Sequence, residues 1–179
     1  NRIRSIEALF LTNSPEINDL SALAEYPSLR ALAIEGGGLT NQSLLQLAAS
    51  DWLPKSLRSL TLAGSFDEIS ALGDFINLED LRLGSDALKN LAPIARLPLL
   101  AFLGVESAGL KTLEDLKNTD SLTTIGLIAP SLKSIAPIAA LPQLDTLFVE
   151  NAVLINFGAL ADSDSLRVLE FRNTGLDSL

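Results

Sequence analysis

One apolar pattern, L-x-x-L-x-L with Ile, Val or Phe as occasional substitutes for Leu, occurs eight times in this 179-residue chain. It starts at residues 6, 29, 57, 78, 100, 122, 144 and 166, so the last five starts are spaced by 22 residues. Such a repeat is typical of a solenoid, in which each coil has a short strand and a return segment and packs on its neighbours. The pattern positions are Ile6/Leu9/Leu11, Leu29/Leu32/Ile34, Leu57/Leu60/Leu62, Leu78/Leu81/Leu83, Leu100/Leu103/Val105, Leu122/Ile125/Leu127, Leu144/Leu147/Val149 and Leu166/Leu169/Phe171. We expect all of them to be buried.

The coil that starts at Leu78 shows how one repeat is built. Residues 78–83 alternate apolar and polar side chains, which predicts a strand with one buried face. Residues 88–97 place an apolar side chain at every third position, which favours a short helical or 3₁₀ segment, and Pro93 and Pro98 prevent a long helix. The predicted fold is therefore α/β: a right-handed solenoid with a parallel sheet on its concave side and short helices or 3₁₀ turns on its convex side.

The coil that starts at Leu29 departs from the others because it is 28 residues long. Within it, Thr40–Ser50 combines a capping residue with an amphipathic pattern, which predicts the longest helix of the chain. Gly36–Gly38 lies just before this segment, where each coil turns, and it lacks the Lys-Ser/Thr of a phosphate-binding loop. We therefore interpret the three glycines as a turn.

These features resemble the leucine-rich repeat family along essentially the whole chain. The 22-residue spacing is similar to that of bacterial internalins and of a regulatory subunit of protein phosphatase, so the resemblance implies a leucine-rich-repeat protein of the bacterial type. In this family an Asn usually follows the strand and bonds the backbone of adjacent coils. Here that position holds Ser14, Gly37, Ser65, Asp86, Ala108, Pro130, Ala152 and Thr174.

Domain organisation follows from the same repeats. We expect residues 1–179 to form a single leucine-rich-repeat domain of about eight coils. The chain begins at Asn1 rather than Met and stops at Leu179 inside a coil, without polar capping coils. We therefore expect the domain to be a fragment of a larger protein.

Charge and composition limit the chemistry of the chain. The formal net charge is −9, and there is no His and no Cys. An acidic chain does not favour nucleic acids or anionic membranes, which attract clustered Lys and Arg, and no apolar run approaches the roughly 18 residues that cross a bilayer. Because the chain has no His, no cysteine nucleophile or thiolate ligand and no phosphate-binding loop, we expect no enzyme activity and no cofactor. No feature places the chain in a compartment, and cytoplasm is our default expectation.

A pair of carboxylates is the remaining candidate for metal chemistry. Glu106 and Glu150 occupy the same column of the predicted sheet two strands apart, which is about 10 Å. A metal ion with ligands at about 2.3–2.6 Å cannot be shared across that gap. We therefore expect no catalytic metal at this pair.

The concave face is the candidate binding surface because its side chains are not needed for the core. In the later coils, large apolar side chains surround two glycines in neighbouring strands, which predicts a hollow with a charged rim, as in a protein-binding hot spot. The candidate site residues are Arg82, Phe102, Gly104, Glu106, Gly126, Ile128, Phe148 and Glu150. The alternative is that these charges only neutralise one another, with Arg82 paired to Asp80 or Glu106 and Arg172 paired to Glu150.

Two functional hypotheses remain open from the sequence. The first is a non-catalytic interaction module that recognises a protein or peptide, basic or neutral in charge, on its concave face. The second is a ligand-sensing or autoinhibitory repeat region of a larger bacterial nucleotide-switch protein of the NACHT/STAND type. The sequence that flanks the repeats would distinguish them, since an upstream nucleotide-binding domain would favour the second.

Overall fold

A computed structural model describes residues 5–154 and 158–175 of the chain. Its central element is a parallel sheet of eight strands in sequential order, each paired with the next. The strands are β1 Ala8–Thr12, β2 Ala31–Leu39, β3 Ser59–Gly64, β4 Asp80–Gly84, β5 Phe102–Glu106, β6 Thr124–Ile128, β7 Thr146–Glu150 and β8 Val168–Arg172. One strand therefore forms at each L-x-x-L-x-L pattern, and the predicted α/β solenoid is confirmed.

The register of the sheet aligns equivalent leucines of successive coils. Leu81 pairs with Leu103, Leu103 with Ile125, and Ile125 with Leu147. All four side chains are fully buried. A shift of one residue in any strand would turn its leucines to the concave face, so this burial confirms the predicted register.

The expectation that every pattern position is buried is wrong at the two outer strands. In the six inner coils these side chains are at most 3% exposed, whereas Leu9 and Leu11 are half-buried and Leu169 is 41% exposed. The physical reason is that β1 pairs only with β2, and β8 only with β7. Each outer strand is therefore covered by one neighbouring coil instead of two.

The return segments on the convex side are short. The longest helix in the described part of the chain is α1, Asn41–Ala48, which confirms the prediction for Thr40–Ser50. A second short helix, α2 Leu53–Ser56, follows it and was not predicted. The other return segments are 3₁₀ helices of three to five residues, at Ser21–Glu25, Ser70–Asp74, Ala92–Arg96, Glu114–Leu116, Ala136–Ile138 and Gly158–Asp162.

The interpretation of Gly36–Gly38 as a turn is wrong. Strand β2 continues through these glycines to Leu39, and its register with β3 shifts between Glu35 and Leu39, which is a β-bulge. A Cβ on Gly36 would lie 2.6 Å from the carbonyl carbon of Ser14, and one on Gly38 would clash with the backbone oxygen of Pro15. Gly36 and Gly38 are therefore required because the first coil's backbone passes directly against them.

Serines take over part of the role that the family usually gives to Asn. The Ser85 hydroxyl donates to the backbone oxygen of Phe66 at 2.6 Å, and the Ser107 hydroxyl donates to that of Leu88 at 2.7 Å. Both serines are buried and lie two residues, not three, after the last leucine position of their strand. At the same position of three other coils the chain places Asn13, Asn151 and Asn173, all with positive φ, a conformation that Asn tolerates well. The family pattern places its Asn three residues after the last leucine position. These serines and asparagines lie one residue earlier and therefore do not match that pattern.

Replacing Ser107 with alanine should lower the free energy of unfolding by about 1–3 kcal/mol. The substitution leaves the buried Leu88 oxygen without its side-chain donor and the Gly109 N–H, 3.1 Å from Ser107 Oγ, without its acceptor. Urea denaturation followed by circular dichroism measures the change. The control is Ser131→Ala, since this half-buried hydroxyl makes no hydrogen bond with the described residues. Equal stability of the two variants would contradict the proposed role of Ser107.

Candidate functional site

The concave face consists of three columns of side chains that run across the strands. From β3 to β8 the first column is Ser59, Asp80, Phe102, Thr124, Thr146 and Val168; the middle column is Thr61, Arg82, Gly104, Gly126, Phe148 and Glu170; and the third column is Ala63, Gly84, Glu106, Ile128, Glu150 and Arg172. The strand register therefore brings all eight sequence-predicted residues into one contiguous area on β4 to β7.

A hollow lies in the middle column, where Gly104 pairs with Gly126. A Cβ built on Gly126 would have no heavy atom within 4 Å, so the space above this residue is open. A Cβ on Gly104 would lie 3.2 Å from Cε1 of Phe102 and 3.4 Å from Cγ of Arg82, so that end is closed by side chains. The open part of the hollow is therefore centred on Gly126, next to Phe148.

Two cavities meet over this hollow. The first has a volume of about 250 Å³ and is lined by Gly126, Leu127, Ile128, Phe148, Val149, Glu150, Glu170 and Arg172. The second has a volume of about 420 Å³ and is lined by Glu35, Thr61, Leu62, Ala63, Arg82, Leu83, Gly84, Gly104, Val105, Glu106, Gly126 and Ile128. They share Gly126 and Ile128, and we refer to the two cavities together as the Gly126 groove.

Seven of the eight predicted residues line the Gly126 groove, and Phe102 does not. The reason is Arg82, whose guanidinium carbon lies 4.3 Å from the centre of the Phe102 ring. The same guanidinium makes two hydrogen bonds of 3.2 Å to the carboxylate of Asp80. Phe102 and Asp80 therefore fix Arg82 at one end of the groove, and this is the pairing that the charge-neutralising alternative expected.

The lining also contains residues outside the predicted set, of which Glu170 and Arg172 matter most. Both lie on β8 at the end of the first cavity, and their side chains are paired at 2.5 Å. The expected pairing of Arg172 with Glu150 is therefore replaced by one within the same strand. The alternation of residues along β8 predicts that Glu170 and Arg172 lie on the concave face. It does not predict which carboxylate the arginine contacts.

Besides Glu35 on β2, two carboxylates of the groove are left without an ion pair among the described residues, Glu106 and Glu150. They flank Ile128 in the third column, one strand to each side. Phe148, beside them in the middle column, is 37% exposed, and Ile128 is half-buried. The centre of the groove thus combines accessible apolar surface with unneutralised negative charge.

A metal-binding cluster and a membrane-spanning helix are both absent from the part of the chain that the structure describes. In residues 5–154 and 158–175, no three His, Cys, Asp or Glu side chains are grouped so that they could hold a metal ion. In the same part of the chain, no helix combines the length and apolar character needed to span a membrane.

Comparison with known proteins identifies the fold from structure rather than from sequence. No protein-family model matches the chain, and no curated protein is similar to it in sequence. Among solved structures, internalin C2 from Listeria monocytogenes superimposes with a TM-score of 0.77 at 23% identity, over 94% of this chain and 72% of the internalin. A leucine-rich-repeat protein from Leptospira interrogans gives a TM-score of 0.75 at 18% identity, over 98% of this chain and 45% of that protein.

A third similar structure is the plant peptide hormone receptor RGFR1 in complex with RGF2. It gives a TM-score of 0.63 at 18% identity and covers 97% of this chain but only 29% of the receptor. All three structures belong to leucine-rich-repeat proteins, so the predicted resemblance is confirmed at the level of the fold. This chain has the leucine-rich-repeat fold.

Proposed function

We propose that this chain is a non-catalytic interaction module that binds a protein or peptide segment in the Gly126 groove. The observation that carries the proposal is the open space above Gly126, which lies directly beside the accessible ring of Phe148. A side chain inserted there is desolvated by Ile128 and Phe148 together. Buried contacts of this kind, surrounded by a polar rim, carry most of the affinity in protein interfaces.

The dimensions of the groove favour a chain segment over a small molecule. The cavity of about 250 Å³ beside Phe148 is below the roughly 300–1,000 Å³ of typical small-molecule pockets, and the second cavity, of about 420 Å³, lies near the lower end of that range. The two cavities are continuous, so that the groove runs from Glu35 on β2 to Arg172 on β8 and is elongated. An elongated surface of several coils can supply the roughly 800 Å² per partner that a stable interface requires. A receptor of the same fold has been solved with a peptide hormone, which supports a segment as the ligand.

The alternative function, a sensor or autoinhibitory region of a nucleotide-switch protein, stays a prediction from the sequence. It also uses a contact surface of the repeats, but the contact would be with another domain of the same protein. It becomes the better hypothesis if no external segment binds the Gly126 groove.

The proposal is tested by selecting random displayed peptides on the purified chain and repeating the selection on Gly126→Leu. We expect peptides that bind the wild type and are lost with Gly126→Leu, because the leucine fills the hollow. The variant should keep the wild-type melting temperature, since a Cβ at this position meets no heavy atom within 4 Å. Thermal unfolding followed by circular dichroism checks this.

A matched control adds the same side chain to the concave face outside the groove. Ala8 is exposed on β1 and lines neither cavity, so Ala8→Leu should retain every selected peptide. If no peptide depends on Gly126, or if Ala8→Leu abolishes binding equally, the groove is not the binding site.

A further inference from the structure

We infer that the Gly126 groove selects a segment with a lysine or arginine side chain, which it holds between Glu106 and Glu150. This inference rests on the proposed function and specifies the chemistry of its partner. Glu106, Ile128 and Glu150 are consecutive members of the third column, so the two carboxylate-bearing residues are about 10 Å apart across one aliphatic side chain. A single cationic head above Ile128 can lie near both carboxylates.

The positive charges of the groove itself do not fill this position. Arg82 is bonded to Asp80 through two hydrogen bonds of 3.2 Å, and Arg172 is bonded to Glu170 at 2.5 Å. With both guanidinium groups paired, Glu106 and Glu150 are the carboxylates in excess at the centre of the groove. Electrostatic complementarity therefore favours a cation from the partner and disfavours an acidic segment.

The apolar surface around these carboxylates suits the long stems of Lys and Arg. These side chains pack their methylene groups against apolar surface and keep the charged head in a polar environment. Ile128 and the exposed part of Phe148 provide that surface, and a cation near the face of an aromatic ring gains further attraction. The position above Ile128 is where the two cavities of the groove meet, with Glu150 lining the first cavity and Glu106 lining the second.

A purely apolar segment fits the groove less well. It would cover Glu106 and Glu150 and remove water from them without supplying a counter-charge. Burying an unpaired carboxylate is strongly unfavourable. An apolar segment would therefore bind more weakly than a segment that also carries Lys or Arg, because it leaves the carboxylates of Glu106 and Glu150 buried and unpaired.

The test is a double-mutant cycle with a peptide that depends on Gly126 in the selection described above. Its Lys or Arg residues are replaced singly by Gln, and the protein carries Glu106→Gln together with Glu150→Gln, which keeps the shape of both side chains. Isothermal titration calorimetry gives each dissociation constant at low and at physiological salt. We expect the peptide substitution alone, or the protein substitutions alone, to raise the dissociation constant at least tenfold. Both together should raise it little further, because they remove the same interaction. The salt dependence should fall in the doubly substituted protein.

The control protein, Glu16→Gln with Glu68→Gln, removes the same charge at exposed positions outside the groove and should bind within a factor of about two. Three outcomes overturn the inference. If the Gly126-dependent peptides lack Lys and Arg, or if the two changes are additive, the groove binds a segment but does not select a cation, and the proposed function stands. If no peptide depends on Gly126, the proposed function and this inference fail together.

Discussion

Replacing Leu103 with alanine should lower the free energy of unfolding by about 2–5 kcal/mol. Leu103 lies in the middle of the sheet, is fully buried, and is in register with Leu81 on one side and Ile125 on the other. The substitution removes apolar surface from the core and leaves a cavity, because both neighbouring coils are held in place by their own strands. Urea denaturation followed by circular dichroism measures the loss.

The matched control for Leu103 is Leu169, which holds the equivalent repeat position in β8 but is 41% exposed. Leu169→Ala should cost much less, about 1 kcal/mol or below, since only one coil covers this side chain. A loss for Leu103→Ala no larger than that for Leu169→Ala would contradict the register of the solenoid core.

Replacing Phe148 with alanine should weaken the binding of a Gly126-dependent peptide by about 2 kcal/mol or more, which is about 30-fold in the dissociation constant. The aromatic ring lies next to the open space at Gly126, where it can cover an inserted side chain. The ring is 37% exposed and points to the concave face, so the folded chain should remain intact. Calorimetry and thermal unfolding together separate the two effects.

Phe10 is the control for Phe148 because it is also on the concave face, in the β1 position that aligns with the middle column, and is 67% exposed. It lines neither cavity of the groove, so Phe10→Ala should leave the dissociation constant unchanged. Equal losses for the two variants would show that exposed aromatic side chains bind the peptide nonspecifically.

The fold was predictable because the leucine pattern contains two periods, the two-residue alternation of a half-buried strand and the 22-residue repeat of a solenoid coil. Alternation in residues 78–83 gives a strand with one buried face, and the 22-residue recurrence stacks equivalent strands side by side. Together they place Gly104 beside Gly126 and Glu106 two strands from Glu150, before any coordinates are considered. The pairing of the two glycines was therefore predictable from residue spacing alone, whereas the closure of the Gly104 end by Phe102 and Arg82 was not.

The details that spacing did not give depend on contacts between residues distant in sequence or on side-chain rotamers. Gly36–Gly38 has the composition of a turn, but it forms a bulged strand because the backbone of Ser14 and Pro15 packs against it. Arg172 has Glu170 on its own strand and Glu150 beside it on β7, and periodicity does not select between these two carboxylates. The buried serines Ser85 and Ser107 were likewise missed, because their hydrogen bonds go to backbone oxygens of the preceding coil.

The most direct test of the Gly126 groove as the binding site is a map of backbone amide chemical shifts on titration with a selected peptide. Gly104 and Gly126 are convenient reporters because glycine amides lie in an uncrowded region of the spectrum. We expect saturable changes at these two glycines and along Phe102–Glu106, Thr124–Ile128 and Thr146–Glu150, with none in α1 on the convex side. Saturable changes confined to α1 and α2, with Gly104 and Gly126 unaffected, would contradict the proposal.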